Sequence, residues 1–298
     1  MVPENASLPA LKTLFLDCVR FYDHRHGCSF EVLVSACHVL EEISIVGEHW
    51  EHWKWCRTVA SPTLQRLTID CEVSNDSIRS DFRSITFDTP SLVYLKYSGF
   101  VSDKHPIVNL DALVEVMLTL ALRKNPHNGN PTNLIKGLRN VEIMDLSSLE
   151  TLKIFYSYRK AIPVFENLSR LSIATKLGSC WKLVPLLLKR SPNLETLVIK
   201  GPLHYNGHGQ GIESVCQCLS GYYFLLSCRV KVLEITKFLG TKGELEQMKH
   251  LLEKLPCLKL VKVLAYATDE EAKLKLAIDL LMLLRPCKIQ LKFFFLLN

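Results

Sequence analysis

The chain has no apolar run of the ~18 residues that a membrane-spanning helix needs. The longest candidate, Ala277 to Leu284, is broken by Asp279 and closed by Arg285 and Pro286. Met1 to Leu8 has neither the basic cluster nor the apolar core of a secretory signal. The sequence therefore predicts no membrane partner and a cytoplasmic or nuclear location. In such a reducing compartment its eleven cysteines are expected to act mostly as small buried hydrophobes. One-sign charge is scarce as well: 36 basic and 30 acidic residues leave a net +6 over 298 residues, with no Lys/Arg run of five. Nucleic acid is not an expected partner.

Motifs of site chemistry are equally absent. There is no Gly-x-Ser-x-Gly elbow and no His-Glu-x-x-His. The segment Gly207-His208-Gly209-Gln210-Gly211 lacks the Lys-Ser/Thr that completes a phosphate loop, and with His204 it is expected to be a flexible connector. Cys216 and Cys218 lack zinc-ribbon spacing, and His49, His52 and Cys56 match no zinc pattern. No catalytic, cofactor-binding or metal-binding residue is expected, and the chain reads as a non-enzyme.

What the sequence does have is a repeat. An apolar residue is followed by another three positions on and a third two positions beyond that. The clear copies are Leu11-Leu14-Leu16, Leu40-Ile43-Ile45, Leu64-Leu67-Ile69, Leu92-Leu95-Tyr97, Leu149-Leu152-Ile154, Leu168-Leu171-Ile173 and Leu194-Leu197-Ile199. Weaker copies are Leu113-Val116-Leu118, Leu138-Val141-Ile143, Val230-Leu233-Ile235 and Leu258-Val261-Val263. Side chains alternate faces along a strand, so the second and third residues of each copy point the same way. Such a short strand cannot bury its apolar face alone, and stacked copies give a parallel sheet over one core. Early copies start 29, 24 and 28 residues apart, within the leucine-rich-repeat range.

Between copies, apolar residues fall at helical spacing: Phe30, Leu33, Val34 and Cys37; Trp181, Val184, Leu187 and Leu188; Leu245, Met248, Leu251, Leu252 and Leu255. Ser102 to Asn109 and Lys124 to Asn133 are loop-like, the second expected to be exposed. Past 203–212 the order is strand, helix, strand, helix, strand, with Thr241–Glu244 and Thr268–Glu271 at capping-box spacing. The terminal Phe293 to Leu297 reads as a last buried strand. The expected fold is therefore α/β: a leucine-rich-repeat solenoid over 1–202, a linker over 203–212 and a C-terminal α/β module over 213–298.

Several stretches resemble the plant F-box/FBD/leucine-rich-repeat family. Those in the repeats are Leu8-Pro9-Ala10-Leu11, Cys28-Ser29-Phe30-Glu31, Ser61-Pro62-Thr63-Leu64 and Ser191-Pro192-Asn193-Leu194. Val230 to Ile235 with Gly243 to Glu253 are similar to that family's FBD domain. The resemblance implies the target-recognition part of an F-box receptor for protein ubiquitination, with an unknown target protein as partner. Members begin with a helical F-box that docks on the Skp adaptor of a cullin ubiquitin ligase. This sequence is in its repeats by Leu8, so those two partners are expected only where an F-box is supplied. The alternative is a stand-alone binding or decoy protein without a ligase link.

The candidate partner surface is the set of positions between the inward residues of each copy. These are Glu42 and Ser44, Arg66 and Thr68, Tyr94 and Lys96, Thr151 and Lys153, and Arg170 and Ser172. Trp50 and Trp53 join them, since tryptophan is enriched in binding hot spots.

Overall fold

In the computed structural model the described residues are 7–19, 21, 23–24, 27–47, 58–71, 84–122, 129–176, 181–203, 225–226, 228–267, 269–283 and 287–295. The chain divides into two compact units, Met1–Ile143 with Lys153–Phe165, and Met144–Leu152 with Glu166–Asn298.

The first unit is built on the repeat. Strands β1 (Thr13–Asp17), β4 (Glu42–Gly47), β6 (Arg66–Cys71), β8 (Tyr94–Phe100) and β10 (Glu115–Ala121) pair in that order, all parallel. The repeat residues line up in register: Leu14, Ile43, Leu67, Leu95 and Val116 form one row, and Leu16, Ile45, Ile69, Tyr97 and Leu118 the next. All but Leu14 are buried. Full burial of one such side chain stabilises by about 1.5–3 kcal/mol. Between these strands lie a two-residue antiparallel pair, β2 (Asp23–His24) with β3 (Gly27–Cys28), and helix α1 (Ser29–Ser35). Phe30 and Val34 are buried on α1, as their spacing predicts.

A second parallel sheet of β5 (Thr58–Ala60), β7 (Thr86–Asp88) and β9 (Val108–Asn109) was not foreseen. Segments of two or three residues are too short to show a period. Val59 and Phe87 are buried on it. The expected loop Ser102 to Asn109 therefore ends in a strand and buries Ser102 and His105. Of the expected loop Lys124 to Asn133, residues 124–128 lie outside the described residues; Gly129 and Pro131 are buried, Asn130 is exposed, and Thr132 and Asn133 open helix α2 (Thr132–Gly137).

Each coil is tied to the one before it at the turn that leads into its strand. The Glu41 and Glu42 amides both donate to the Lys12 carbonyl, those of Gln65 and Arg66 to Glu41, and those of Val93 and Tyr94 to Gln65. Side chains repeat the link: Thr63 Oγ1 donates to the Leu40 carbonyl at 2.8 Å, Ser91 Oγ to Pro62 at 2.6 Å, and Asn140 Nδ2 to Asp111 at 2.8 Å. This explains the polar–Pro–polar–Leu turns: proline stops the preceding element, and the next polar residue satisfies a carbonyl of its neighbour.

One clear copy is not a strand. Leu149-Leu152-Ile154 lies in helix α3 (Leu149–Ser157), which buries Thr151, Ile154 and Phe155 at helical spacing. Ser148 caps it, its Oγ accepting from the Thr151 amide at 3.1 Å. The strand of this coil is β11 (Ile143–Leu146), and its register is three residues later than the weak copy Leu138-Val141-Ile143 suggests. The amides of Glu142 and Ile143 donate to Val114, as those of Val114 and Glu115 donate to Val93. The inward residues are thus Val141, Met144 and Leu146, all buried.

In the second unit β11, β12 (Arg170–Ala174), β13 (Thr196–Lys200), β14 (Val232–Phe238), β15 (Leu260–Ala267) and β16 (Lys288–Phe295) follow one another across the sheet. From β12 onward the pairs are parallel. Helices α4 (Val184–Arg190), α5 (Lys242–Lys254) and α6 (Glu270–Met282) lie between them in sequence. The expected linker and the start of the C-terminal module, from His204, lie mostly outside the described residues. The strand–helix–strand–helix–strand order after it is as expected.

Thr241 and Glu244 form the expected capping box. Glu244 is fully buried, and its carboxylate accepts from the amides of Leu203 (3.3 Å), Leu239 (3.1 Å) and Thr241 (3.2 Å). Burial pushes its pKa up, and those donors pull it back only in part. At α6 the cap is Asp269, which accepts from the Ala272 amide at 2.8 Å. Thr268, expected in that role, lies outside the described residues.

One further expectation is corrected, and the one on cysteine burial is tested for five of the eleven cysteines. β16 is an edge strand with Phe294 exposed, so it is not buried. Among the described residues Cys37 and Cys228 are buried thiols, whereas Cys18 and Cys257 are exposed.

Candidate functional site

In a parallel sheet of repeats the positions between inward residues must stack in rows on the opposite face. In the first unit they do. One row runs Thr13, Glu42, Arg66, Tyr94, Glu115, and the next Phe15, Ser44, Thr68, Lys96, Met117. A third runs Asp17, Val46, Asp70, Ser98, Thr119. Six of the expected surface residues, Glu42, Ser44, Arg66, Thr68, Tyr94 and Lys96, are thus neighbours on one face.

Their side chains are already ordered against one another. The Arg66 guanidinium lies 4.1 Å above the Tyr94 ring centroid, with Nε 3.9 Å from Glu42 Oε1. Tyr94 donates its hydroxyl to Met117 Sδ at 3.4 Å. Lys96 is ion-paired with Asp70. Exposed pairs of this kind contribute under about 1 kcal/mol each. Their effect is to fix rotamers, which lowers the entropy cost of binding a partner. Between them Ser44 and Thr68 are short, so the second row is a shallow trough ending at Phe15, which is 63% exposed.

Phe15 and Met117 were missed as surface candidates. The same rule finds them, since Phe15 lies between Leu14 and Leu16, and Met117 between Val116 and Leu118. With Arg66 and Lys96 against Asp17, Glu42, Asp70 and Glu115, the face carries a small negative excess.

The remaining expected residues are placed differently. Thr151 and Lys153 are on helix α3, with Thr151 fully buried, so neither joins a row of the sheet. Trp50 and Trp53, with His49, His52 and Cys56, lie outside the described residues, as do His204, His208, Cys216 and Cys218. Arg170 and Ser172 belong to the second unit. Ser172 aligns with Val198 and Glu234, and both Ser172 and Val198 are buried.

Two ion pairs span the strands around them. Arg170 reaches past β13 to Glu234 on β14 at 2.8 Å, and Lys200 pairs with Asp145 on β11 with β12 between them. Lys262 adds a second cation to Glu234 at 2.8 Å. Burial raises the Glu234 pKa, but the bonds and charges of Arg170 and Lys262 outweigh it and hold the carboxyl below its ordinary range. Ser172 and Val198 are buried in the second unit, whereas among the described residues their counterparts in the first, Ser44 and Thr68, are only half-buried.

Among the described residues no cluster of three or more His, Cys, Asp or Glu side chains could hold a metal ion, and no helix is long and apolar enough to cross a membrane.

Comparison with known proteins agrees with the architecture. Residues 10–38 match the Leucine Rich Repeat family. The chain is 50% identical to the F-box/LRR-repeat protein At3g58980 of Arabidopsis thaliana, covering 97% of this chain and 50% of that protein. It is 48% identical to F-box protein At3g62430 of the same plant, covering 98% of this chain and 67% of the relative. F-box/LRR-repeat protein At3g62440, also from that plant, is 48% identical, with 97% of this chain and 65% of the relative aligned. On this likeness, which runs through nearly all of its length, the chain belongs to the plant F-box/LRR-repeat protein family.

Proposed function

We propose that the chain is a non-enzymatic target-recognition module of the kind that serves a ubiquitin-ligase receptor, and that its open face in the first unit receives the target protein. The observation that carries this reading is the register-aligned trough of Ser44 and Thr68, bordered by Phe15, Tyr94 and Met117 and braced by Arg66 and Lys96. Ordered side chains around a solvent-facing aromatic make a hot-spot geometry. The relatives' names support a protein-interaction role. Within this reading residues 213–298 form the FBD module, a Skp adaptor and cullin join through an F-box, and the work is done in the cytoplasm or nucleus.

The test is quantitative affinity purification of the chain beside a Thr68→Arg variant, each expressed in plant cells with and without a fused F-box. Thr68 is half-buried on the open face, so arginine fills the trough without entering the core. The expected result is loss of one set of partners from the variant, in both formats, with unchanged thermal stability. An identical partner set for the two proteins overturns the proposal.

A further inference from the structure

The end of the second unit carries three unsatisfied features at one place. Among the described residues β16 pairs with β15 alone, so its other edge is free. The Lys288 amide donates to Lys259. Alternation then turns the backbone N–H and C=O groups of Ile289, Leu291 and Phe293 outward from the sheet edge. The side chains of these same residues lie on the inner face, in the rows of Val261, Val263 and Ala265. Those three are buried, but Ile289, Leu291 and Phe293 are only half-buried, because nothing described covers their far side.

The helix beside them shows the same gap. α6 turns Leu276 and Leu280 inward, and Lys273 Nζ sits 5.8 Å from the Phe293 ring centroid. Its opposite side exposes Leu274 (63%), Ile278 (47%) and Leu281 (58%), at intervals of four and three residues. That is an apolar stripe with no cover among the described residues.

The third feature is charge. On the outer face of β16, Lys288, Gln290 and Lys292 are exposed, and neither lysine has a carboxylate partner among the described residues. Lysines on a free edge disfavour self-pairing. An antiparallel pair of two copies centred on Gln290 would set Lys288 against Lys292 of the other copy, like charge against like. A second copy in that register is therefore disfavoured, whereas an acidic strand is favoured by both lysines.

We infer that the free edge of β16 binds an extended segment of a partner protein whose side chains alternate between acidic and apolar. Carboxylates four residues apart face Lys288 and Lys292. The intervening apolar residues extend the rows of Ile289, Leu291 and Phe293. Main-chain hydrogen bonds supply the affinity and the alternation supplies the specificity. This surface belongs to the second unit and shares no residue with the rows of the first.

The experiment uses the full chain and fluorescein-labelled peptides of about nine residues, followed by anisotropy. One peptide alternates valine with threonine and carries two glutamates four residues apart. A second replaces both glutamates by lysine. A third is the glutamate peptide N-methylated at the amides that would face β16. Wild-type protein is expected to bind the glutamate peptide about tenfold or more tightly than the lysine peptide, and less tightly as salt rises. Lys288→Glu with Lys292→Glu reverses that preference while leaving the thermal unfolding midpoint in place, since both side chains are exposed. The N-methylated peptide does not bind. The inference is overturned if the double variant keeps the wild-type preference, if N-methylation has no effect, or if sedimentation shows the edge filled by a second copy of the chain.

Discussion

His105 should make the first unit acid-sensitive at a pH where ordinary surface residues are indifferent. Its side chain is 2% exposed, stacked against Phe87 with ring centroids 6.2 Å apart and planes 15° from parallel. Burial drives its pKa from 6.5 down to about 4, against a smaller upward pull from the Ile85 backbone. The folded state therefore holds the imidazole neutral, while the unfolded chain protonates it near pH 6.5. A base with a depressed folded pKa gives stability that is complete above the unfolded pKa. That stability is lost as pH falls through the interval down to about 4 and is constant below it. The whole shift corresponds to about 3 kcal/mol, of which about 2 kcal/mol is lost between pH 7 and pH 5. His105→Phe keeps a ring against Phe87 and removes the proton site. Urea unfolding of both proteins at the two pH values gives the comparison, and any repacking cost common to both cancels in the difference. The variant should lose about 2 kcal/mol less than wild type on going from pH 7 to pH 5. Equal losses would show that the imidazole is not held neutral and would refute the reasoning.

Two further outcomes are expected. Glu244→Ala removes the acceptor for the amides of Leu203, Leu239 and Thr241 at the start of α5, and should cost about 2–4 kcal/mol by chemical denaturation. Glu244→Gln keeps one acceptor oxygen, so a cost as large as that of alanine would contradict this account. Gly240→Ala should cost about 1–3 kcal/mol, because Gly240 has φ +72° and an added Cβ would lie 2.3 Å from Leu276 Cδ1. A variant as stable as wild type in the same assay would show that Leu276 moves aside freely.

The strands were legible in the sequence because each needs only three apolar residues at fixed offsets, and the parallel register then follows from stacking. Failure came where that template fits a helix equally well. Leu149, Leu152 and Ile154 satisfy it, yet Thr151, Ile154 and Phe155 make the buried stripe. Ser148 capping the Thr151 amide was the local signal that could have decided the matter. The interval from Leu138 to Leu149, too short for a coil, pointed the same way. The candidate surface was legible to the same extent as the strands: Glu42 to Lys96 fall into rows, and Phe15 and Met117 follow from the rule that found them. Which outward positions stay open was not legible. Arg170, Ser172 and Val198 fit the pattern as well as Arg66 and Thr68 do. The ion pairs formed on that face join strands far apart in sequence, Asp145 with Lys200 and Arg170 with Glu234. No spacing rule reaches across such distances.

The paired amides that grip one carbonyl of the preceding coil have an evolutionary consequence. They set alignment where a strand begins and place no demand on where it ends. The sequence uses that freedom: from the end of β8 to the start of β10 the chain takes 14 residues, but from the end of β13 to the start of β14 it takes 31. Segments can be inserted, lost or diversified after a strand while every later coil keeps its phase. A lineage can therefore rewrite the rim of this molecule without renegotiating its core.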